Sequence, residues 1–143
     1  MNAPAPLLPA TGDHDTGGFF EAAAREELVV RVCDQCGAFL HVPRAYCHTC
    51  GSWEGSWRKV AGTGTLHSWT VADHQVHPAY PVPYTIVLVD LDDAPGVRLL
   101  GHIPGSPDLR AGMAMQVHFD HLDRNDADGV VLPNWEPAPS TAT

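Results

Sequence analysis

The chain has 143 residues, the size of one domain or of a small module joined to a domain, and its 44% of apolar residues is enough for a core. Eight basic residues against 17 acidic ones give a net charge of −9, which argues against binding to nucleic acid through phosphate contacts. Because no run of about 18 apolar residues occurs and the N-terminus lacks a basic signal region, we expect a cytoplasmic protein that does not enter a membrane.

The two ends of the chain are rich in proline and alanine and show no hydrophobic periodicity. This composition predicts a disordered arm over residues 1–15 and a disordered tail over residues 136–143. The structured part is therefore expected to lie between them.

A short helix is predicted over residues 16–28, with Asp15 or Thr16 as its N-cap. Phe19 and Phe20 are adjacent on this helix and point in different directions. A small helix hides one such ring more easily than two. Two interpretations follow: both rings belong to the core, or one of them contacts a partner protein.

Residues 29–59 carry two Cys-x-x-Cys-Gly motifs, each of which turns two thiolates toward the same side of a tight knuckle. Four soft ligands in a tetrahedron suit a structural Zn²⁺ and leave no open position for catalysis. A rubredoxin-like iron site is the alternative for the same ligands. The candidate metal ligands are Cys33, Cys36, Cys47 and Cys50.

Five short strands are predicted between residues 60 and 135, at 62–73, 84–92, 97–103, 114–122 and 129–135. Their number and their tight turns, including a polar turn over residues 125–129, favour a five-stranded OB-fold barrel, with a sandwich as the competing fold. The second strand is almost continuously apolar, which indicates a strand covered on both faces or curled in a barrel. Trp69 in the first strand is expected in the core. The predicted fold class is mainly β: a helix, a rubredoxin-like ribbon and then the barrel.

The loop between the first two barrel strands combines three prolines with Tyr80 and ends at Tyr84. Aromatic side chains on a stiff loop are typical contact residues, and the alternative is a loop that folds onto its own barrel. We expect no catalytic residue, because the chain shows no nucleophile triad order, P-loop or dinucleotide fingerprint. His118 near Asp120 could form an acid–base pair, but a solvated strand face is the favoured interpretation.

The order of these parts resembles the DUF35 family of zinc-ribbon and OB-fold proteins. The similarity covers residues 18–135 through GFFEA, CDQCG, CHTCG, GTGT, PYTIVLVDL and the closing VVLPNW. The resemblance implies a non-catalytic subunit that binds and stabilises a thiolase-like or lipid-transfer-protein-type enzyme. Such enzymes act on CoA thioesters by thiolytic or retro-aldol cleavage or by acyl transfer, for example in the degradation of steroid side chains or aromatic compounds. It also implies that the barrel can help to form the acyl-CoA channel.

Two other functions stay open from the sequence. In a stand-alone acyl-CoA-binding module, Arg58, Lys59 and Arg98 would have to meet the CoA phosphates. A nucleic-acid-binding OB protein is the third hypothesis, and the barrel's acidic charge disfavours it. The residues expected to contact a partner or acyl-CoA are Phe19, Phe20, Arg58, Lys59, Tyr80 and Tyr84.

Overall fold

The computed structural model describes residues 4–124 and 127–140, and within them one helix precedes eight strands. Two sheets result: a three-stranded sheet in the order β2-β1-β3 and a five-stranded sheet in the order β6-β5-β4-β7-β8. The predicted mainly β architecture, with a helix, a small sheet and a five-stranded barrel sheet, is confirmed. The elements are α1 (Gly17–Ala23), β1 (Val29–Cys33), β2 (Phe39–Leu40), β3 (Gly55–Lys59), β4 (Thr63–Ala72), β5 (Tyr84–Leu91), β6 (Arg98–Pro104), β7 (Ala114–Arg124) and β8 (Ala127–Pro137).

The helix is shorter than the predicted 16–28, because α1 ends at Ala23. Glu26 adopts a left-handed conformation, with φ of 57°, and its N–H donates to Ala23 O at 2.8 Å. The N–H of Glu27 reaches back to Ala22 O at 3.0 Å, which completes a Schellman motif. Glycine is the usual residue at this left-handed position, so the sequence carries no signal for the stop.

The start of α1 also differs from the prediction. Thr16 occupies the N-cap position without a side-chain capping bond. The Asp13 carboxylate instead accepts hydrogen bonds from the N–H groups of Asp15 and Thr16, both at 2.8 Å. The turn before the helix is therefore held by Asp13, which the sequence analysis did not single out.

The five barrel strands pair antiparallel along the sheet. β5 alternates strictly between half-buried and buried positions, and Thr85, Val87, Val89 and Leu91 point inward. On β7, Met115 is buried, and Val117 and Phe119 pack against the same core, as the alternation predicted. β6 and β8 lie at opposite ends of the sheet order, yet they contact each other, and His102 N donates to Asn134 Oδ1 at 2.8 Å. The sheet is therefore curled into a barrel.

The small sheet and the barrel share one core. Leu28, just before β1, and Val30 in β1 belong to the same buried cluster as Leu66 and Trp135 of the barrel. A separate small cluster at the far end of the ribbon contains Cys33, Leu40 and Cys47. That far end has few apolar side chains of its own, so it needs another source of order.

The segments outside the strands are only partly described. Residues 1–3 of the predicted arm, residues 141–143 of the predicted tail, and Asn125 and Asp126 of the predicted turn lie outside the described residues. Residues 4–16 form no helix or strand, but the backbone of Leu7 hydrogen-bonds to the Tyr80 hydroxyl, so this part of the arm contacts the barrel. None of the helical residues that the structure describes forms a segment long and apolar enough to span a bilayer.

Candidate functional site

Two identical turns position the four cysteines. β1 ends at Cys33, and the N–H of Gly37 donates to Cys33 O at 2.9 Å. In the second knuckle the N–H of Gly51 donates to Cys47 O at 2.8 Å. Gly37 and Gly51 have φ of 75° and 77°, a conformation that glycine adopts without strain. The glycine at the end of each motif therefore allows the chain to turn back around the sulfur atoms.

The four sulfur atoms form a compact group in which all lie within 4.8 Å of one another. Cys33 Sγ lies 3.6 Å from Cys50 Sγ, and Cys36 Sγ lies 3.7 Å from Cys47 Sγ. A tetrahedral Zn²⁺ with Zn–S bonds of about 2.3 Å requires S···S edges of about 3.8 Å. The spacing of the thiols thus fits one zinc ion with four sulfur ligands.

The backbone around the knuckles favours thiolates at two of the four positions. The N–H groups of Cys36 and Gln35 hold the pKa of Cys33 below its usual value. Burial opposes ionisation of Cys47, but the N–H groups of Cys50 and Thr49 lower its pKa to about 6. Thiolates are the form that binds zinc, so the fold prepares part of the ligand set.

The other two thiols do not ionise readily beside the first pair. The Ala38 N–H favours the Cys36 thiolate, but burial and the neighbouring thiols, Cys47 first among them, raise its pKa to about 12. Four negative sulfur atoms at this distance need a cation among them. The site is suited to structural zinc, since four cysteines fill the tetrahedral shell and leave no open position.

The adjacent phenylalanines of α1 have different environments. Phe19 packs against the main core. Phe20 is half-buried and lies in a shallow groove with Glu21, Val130 and Val131. Their rings meet edge to face with centroids 5.4 Å apart. Both rings are half-buried and line one groove, and the contact of either ring with a partner stays a prediction.

Tyr80 and Tyr84 converge on the outer side of the barrel around His102. The ring of Tyr84 lies 5.1 Å from that of His102, and the ring of Tyr80 lies 6.2 Å from it. Ile86 and Leu100 line the same shallow pocket, and Leu100 is 66% exposed. Leu100 also lines the neighbouring groove that contains Phe19 and Phe20. We call the combined area formed by Phe20, Tyr80, Tyr84, Ile86 and Leu100 the apolar outer surface.

The basic candidates have partners within the chain. The guanidinium of Arg58 lies 5.4 Å from the ring centre of Phe39. Lys59 Nζ lies 3.4 Å from Glu27 Oε1, and Arg98 Nε donates to Asp90 Oδ1 at 2.7 Å. The structure therefore does not bring Arg58 and Lys59 together with the tyrosines.

A polar stripe crosses the outer face of β7 and β8. His118 Nε2 lies 3.1 Å from Asp120 Oδ1, and Asn134 Nδ2 donates to Asp120 Oδ2 at 2.5 Å. Gln116 Nε2 donates to Glu136 Oε1 at 2.7 Å. The pair of His118 and Asp120 exists, as the acid–base alternative requires, but it lies in a half-buried row of polar residues on a strand face.

Two exposed apolar features were not predicted from the sequence, and the prediction for Trp69 is wrong. Tyr46 and Trp53 flank the second knuckle with ring centroids 5.6 Å apart, and Trp53 is 70% exposed. Leu100 is exposed in the middle of a strand. Trp69, expected in the core, is 39% exposed. The sequence could have indicated Tyr46 and Trp53, since both residues lie within a few positions of a cysteine knuckle.

Family models match both parts of the chain. The model described as "ChsH2, rubredoxin-like zinc ribbon domain" matches residues 20–54. The model described as "ChsH2, C-terminal OB-fold domain" matches residues 57–120. The first range contains all four cysteines, and the second runs from β3 into β7.

Two curated relatives are named as subunits of hydratases. The chain is 34% identical over 126 residues to "Probable enoyl-CoA hydratase alpha subunit" of Thermomonospora curvata, which covers 88% of this chain and 38% of the relative. It is 29% identical over 135 residues to "3-oxo-4,17-pregnadiene-20-carboxyl-CoA hydratase alpha subunit" of Mycobacterium tuberculosis, which covers 94% of this chain and 41% of the relative. The chain thus spans about two fifths of the length of these relatives.

Two solved structures have similar folds. A chain of the structure named "Ltp2-ChsH2(DUF35) aldolase" superposes with a TM-score of 0.79 at 32% identity, covering 91% of this chain and 98% of that one. A DUF35 protein of unknown function from Sulfolobus solfataricus superposes with a TM-score of 0.54 at 16% identity, over 71% of this chain and 75% of that one. The second similarity shows the fold alone.

Proposed function

Because this chain belongs to the DUF35 family of zinc-ribbon and OB-fold proteins, we propose that it is a non-catalytic subunit of an aldolase complex. In this role it binds and stabilises a thiolase-like, lipid-transfer-protein-type enzyme that acts on CoA thioesters. The partner would carry out thiolytic or retro-aldol cleavage or acyl transfer with its own catalytic residues. The observation that carries the proposal is the match to 98% of a chain in the aldolase structure, with a TM-score of 0.79.

The chain in the aldolase structure is more informative about the function of this chain than the hydratase subunits are. Its matching chain has nearly the same extent as this one, at 32% identity. The hydratase subunits are matched over only 38% and 41% of their length, so their activity can belong to the part that this chain does not match. We therefore base the proposed supporting role on the chain in the aldolase structure.

The zinc site supports this role because it holds the ribbon in one conformation. We propose that the four cysteines bind one structural Zn²⁺, whose contribution is four strong bonds that hold the two knuckles together. The far end of the ribbon has only a small apolar cluster, so the metal supplies the stability that a core would otherwise give. A fixed ribbon then presents its own surface and the adjoining helix in one geometry to the partner.

The apolar outer surface is the proposed contact area for the enzyme or for its acyl-CoA. Exposed apolar residues that cluster on a barrel face are typical of interfaces. Phe20, Tyr80 and Tyr84 contribute to it, whereas Phe19 supports it from the core side. Arg58 and Lys59 contact Phe39 and Glu27 and lie away from the tyrosines, which favours the subunit over the stand-alone acyl-CoA module.

The test is an affinity purification of the tagged chain from its native host, with identification by mass spectrometry. We expect a thiolase-like protein in near-equal amount, and CoA-thioester cleavage in the recovered complex. Recovery of the chain alone, as a monomer, would contradict the proposal. A calorimetric titration of the isolated chain with acyl-CoA would then decide on the alternative function.

A further inference from the structure

β4 has one paired edge and one edge that is paired only in part. It follows β5 from Gly64 to Ala72, with a bulge between Leu66 and Ser68. Its ladder with β7 covers only Thr63 to Thr65. Leu66 makes the last backbone bonds on that side, with Met113 and Gly112 of the loop before β7. Past Leu66, β4 continues to Ala72 without pairing to β7.

The register determines which backbone groups face this free edge. Leu91 N donates to Val97 O at 3.1 Å, so Leu91 turns its backbone groups toward the side of β6. Successive residues of a strand turn their N–H and C=O groups to opposite sides, so the backbone groups of Val87 and Thr85 face β6 as well. Their cross-strand neighbours on β4 are Trp69 and Val71. The N–H and C=O groups of Trp69 and Val71 therefore point away from β5, toward the open edge.

Among the backbone–backbone bonds of residues 4–124 and 127–140, none reaches the backbone groups of Trp69 or Val71 on that side. Their side chains share the face of Val87 and Thr85, which are fully buried. Trp69 is nevertheless 39% exposed and Val71 36% exposed. The edge thus combines free backbone groups with two apolar side chains that are only partly covered.

Apart from the bulge between Leu66 and Ser68, this edge lacks the devices that keep strand edges apart. Residues 67–72 contain no lysine, arginine or proline. His67 is the one ionisable residue among them, and its Nδ1 lies 2.9 Å from Asp90 Oδ2. The following loop does not cover the edge with Tyr80, because that ring packs toward His102 on β6, at the other side of β5.

We propose that the edge formed by residues 67–72 is a strand-addition site for one extended segment of the partner subunit. The proposal rests on the proposed function, since it assigns a second contact with the same partner, separate from the apolar outer surface. Free N–H and C=O groups at a strand edge are satisfied by a neighbouring extended backbone. Six residues accommodate a segment of about 20 Å, whose alternate apolar side chains would pack on Trp69 and Val71.

Charge favours a different protein over a second copy as the occupant. This chain carries a net charge of −9, so two copies that approach each other repel. A neutral or basic segment meets no such barrier. The occupant is therefore an extended segment of low negative charge from another subunit.

Amide hydrogen exchange on the isolated chain and on the purified complex tests this directly. We expect the amides of Trp69 and Val71 to exchange quickly in the isolated chain and at least about 10-fold more slowly in the complex. A complex that forms without this protection overturns the strand-addition site and leaves the proposed function intact. Failure to recover any complex overturns both. Protection that grows with the concentration of the isolated chain assigns the edge to a second copy and overturns a heterologous occupant.

Variants at one position separate the backbone contribution from the side chain. Val71→Pro removes the outward N–H without removing a bond to β5, whereas Val71→Thr keeps the N–H and the branched shape. We expect Val71→Pro to weaken partner binding about 10-fold or more, and Val71→Thr to bind as the parent does. Val76→Pro is the control, since Val76 is 80% exposed in the following loop. A Val71→Pro chain that melts and binds like the parent contradicts the proposal. If Val71→Pro does not fold, the hydrogen-exchange experiment on the parent chain and its complex tests the proposal instead.

Discussion

Gly101 on β6 lies directly against the indole of Trp135 on β8. A Cβ atom at position 101 would come within 2.7 Å of Trp135 Cδ1. Trp135 is 1% exposed and belongs to the main core. Between β6 and β8 the described residues form no backbone ladder, so this side-chain packing closes the barrel together with the bond from His102 N to Asn134 Oδ1. The missing side chain at Gly101 lets the two strands approach each other.

Gly101→Ala is therefore expected to destabilise the protein by about 1–3 kcal/mol, because the added methyl group overpacks a buried indole. Thermal or urea unfolding measures the effect. Gly12→Ala is the matched control, since nothing lies within 4 Å of a Cβ at Gly12. We expect this control to change stability by less than about 0.5 kcal/mol. Equal stability of Gly101→Ala and the parent would contradict the close packing.

The barrel strands could be predicted because their signal is local. The alternation of Met115, Val117 and Phe119 repeats every second residue, and the structure turns these side chains toward the core. The end of α1 depends instead on Glu26 in a left-handed conformation, and no glycine marks that position. Hydrophobic periodicity thus located the elements, while the helix boundaries depended on individual backbone conformations.

Loss of the zinc ligands is expected to unfold the ribbon. The double substitution Cys33→Ser and Cys36→Ser removes one knuckle's ligands, so zinc content should fall from about one ion per chain to none. Partner binding should be lost with it. His48→Ala is the control: His48 lies between Cys47 and Cys50 without being one of the four clustered thiols. Elemental analysis and the pull-down measure both effects, and a metal-free variant that still binds the partner would show that zinc is dispensable.

The exposed position of Leu100 gives a test of the apolar outer surface. Leu100→Lys places a charge where the partner is proposed to pack, and we expect affinity to fall about 10-fold, or about 1.4 kcal/mol. Folding should not change, because Leu100 is 66% exposed. Val42→Lys is a matched control on the ribbon with the same 66% exposure. Equal affinities of the two variants in a titration would place the interface elsewhere.

The cysteines and the exposed residues differ in how far the sequence could predict them. The four cysteines are identified by residue type and spacing within two short motifs. Trp69 pairs with the inward-facing Val87 only because the bulge between Leu66 and Ser68 shifts the alternation of β4. Its exposure depends on where the ladder of β4 with β7 ends, at Thr65. Such information is non-local: it requires the pairing of β4 with β7. The open edge could therefore be recognised only once the sheet was known.

The His102 ring lies beside the apolar outer surface, and its protonation makes the stability of the protein depend on pH. Its Nε2 is buried without a hydrogen-bond partner in the described part of the chain. Burial lowers the pKa of His102 below its usual 6.5, against the opposing effect of the Asp120 carboxylate. In the window below pH 6.5 the unfolded chain therefore binds more protons at this residue than the folded chain does. Stability from the neutral ring is complete above that pH and is lost as the pH falls through the lower pKa of the folded state.

His102→Phe keeps an aromatic ring beside Tyr84, 5.1 Å away in the parent, and removes the titrating group. We expect the melting temperature of the parent to fall more steeply than that of this variant between about pH 8 and about pH 5.5. His14→Phe should follow the parent, because its side chain is 85% exposed in the arm. If the melting temperatures of His102→Phe and the parent fall in parallel with pH, His102 is protonated equally in the folded and unfolded states. Retained stability at low pH in the variant would instead identify His102 as a source of the acid sensitivity of the barrel.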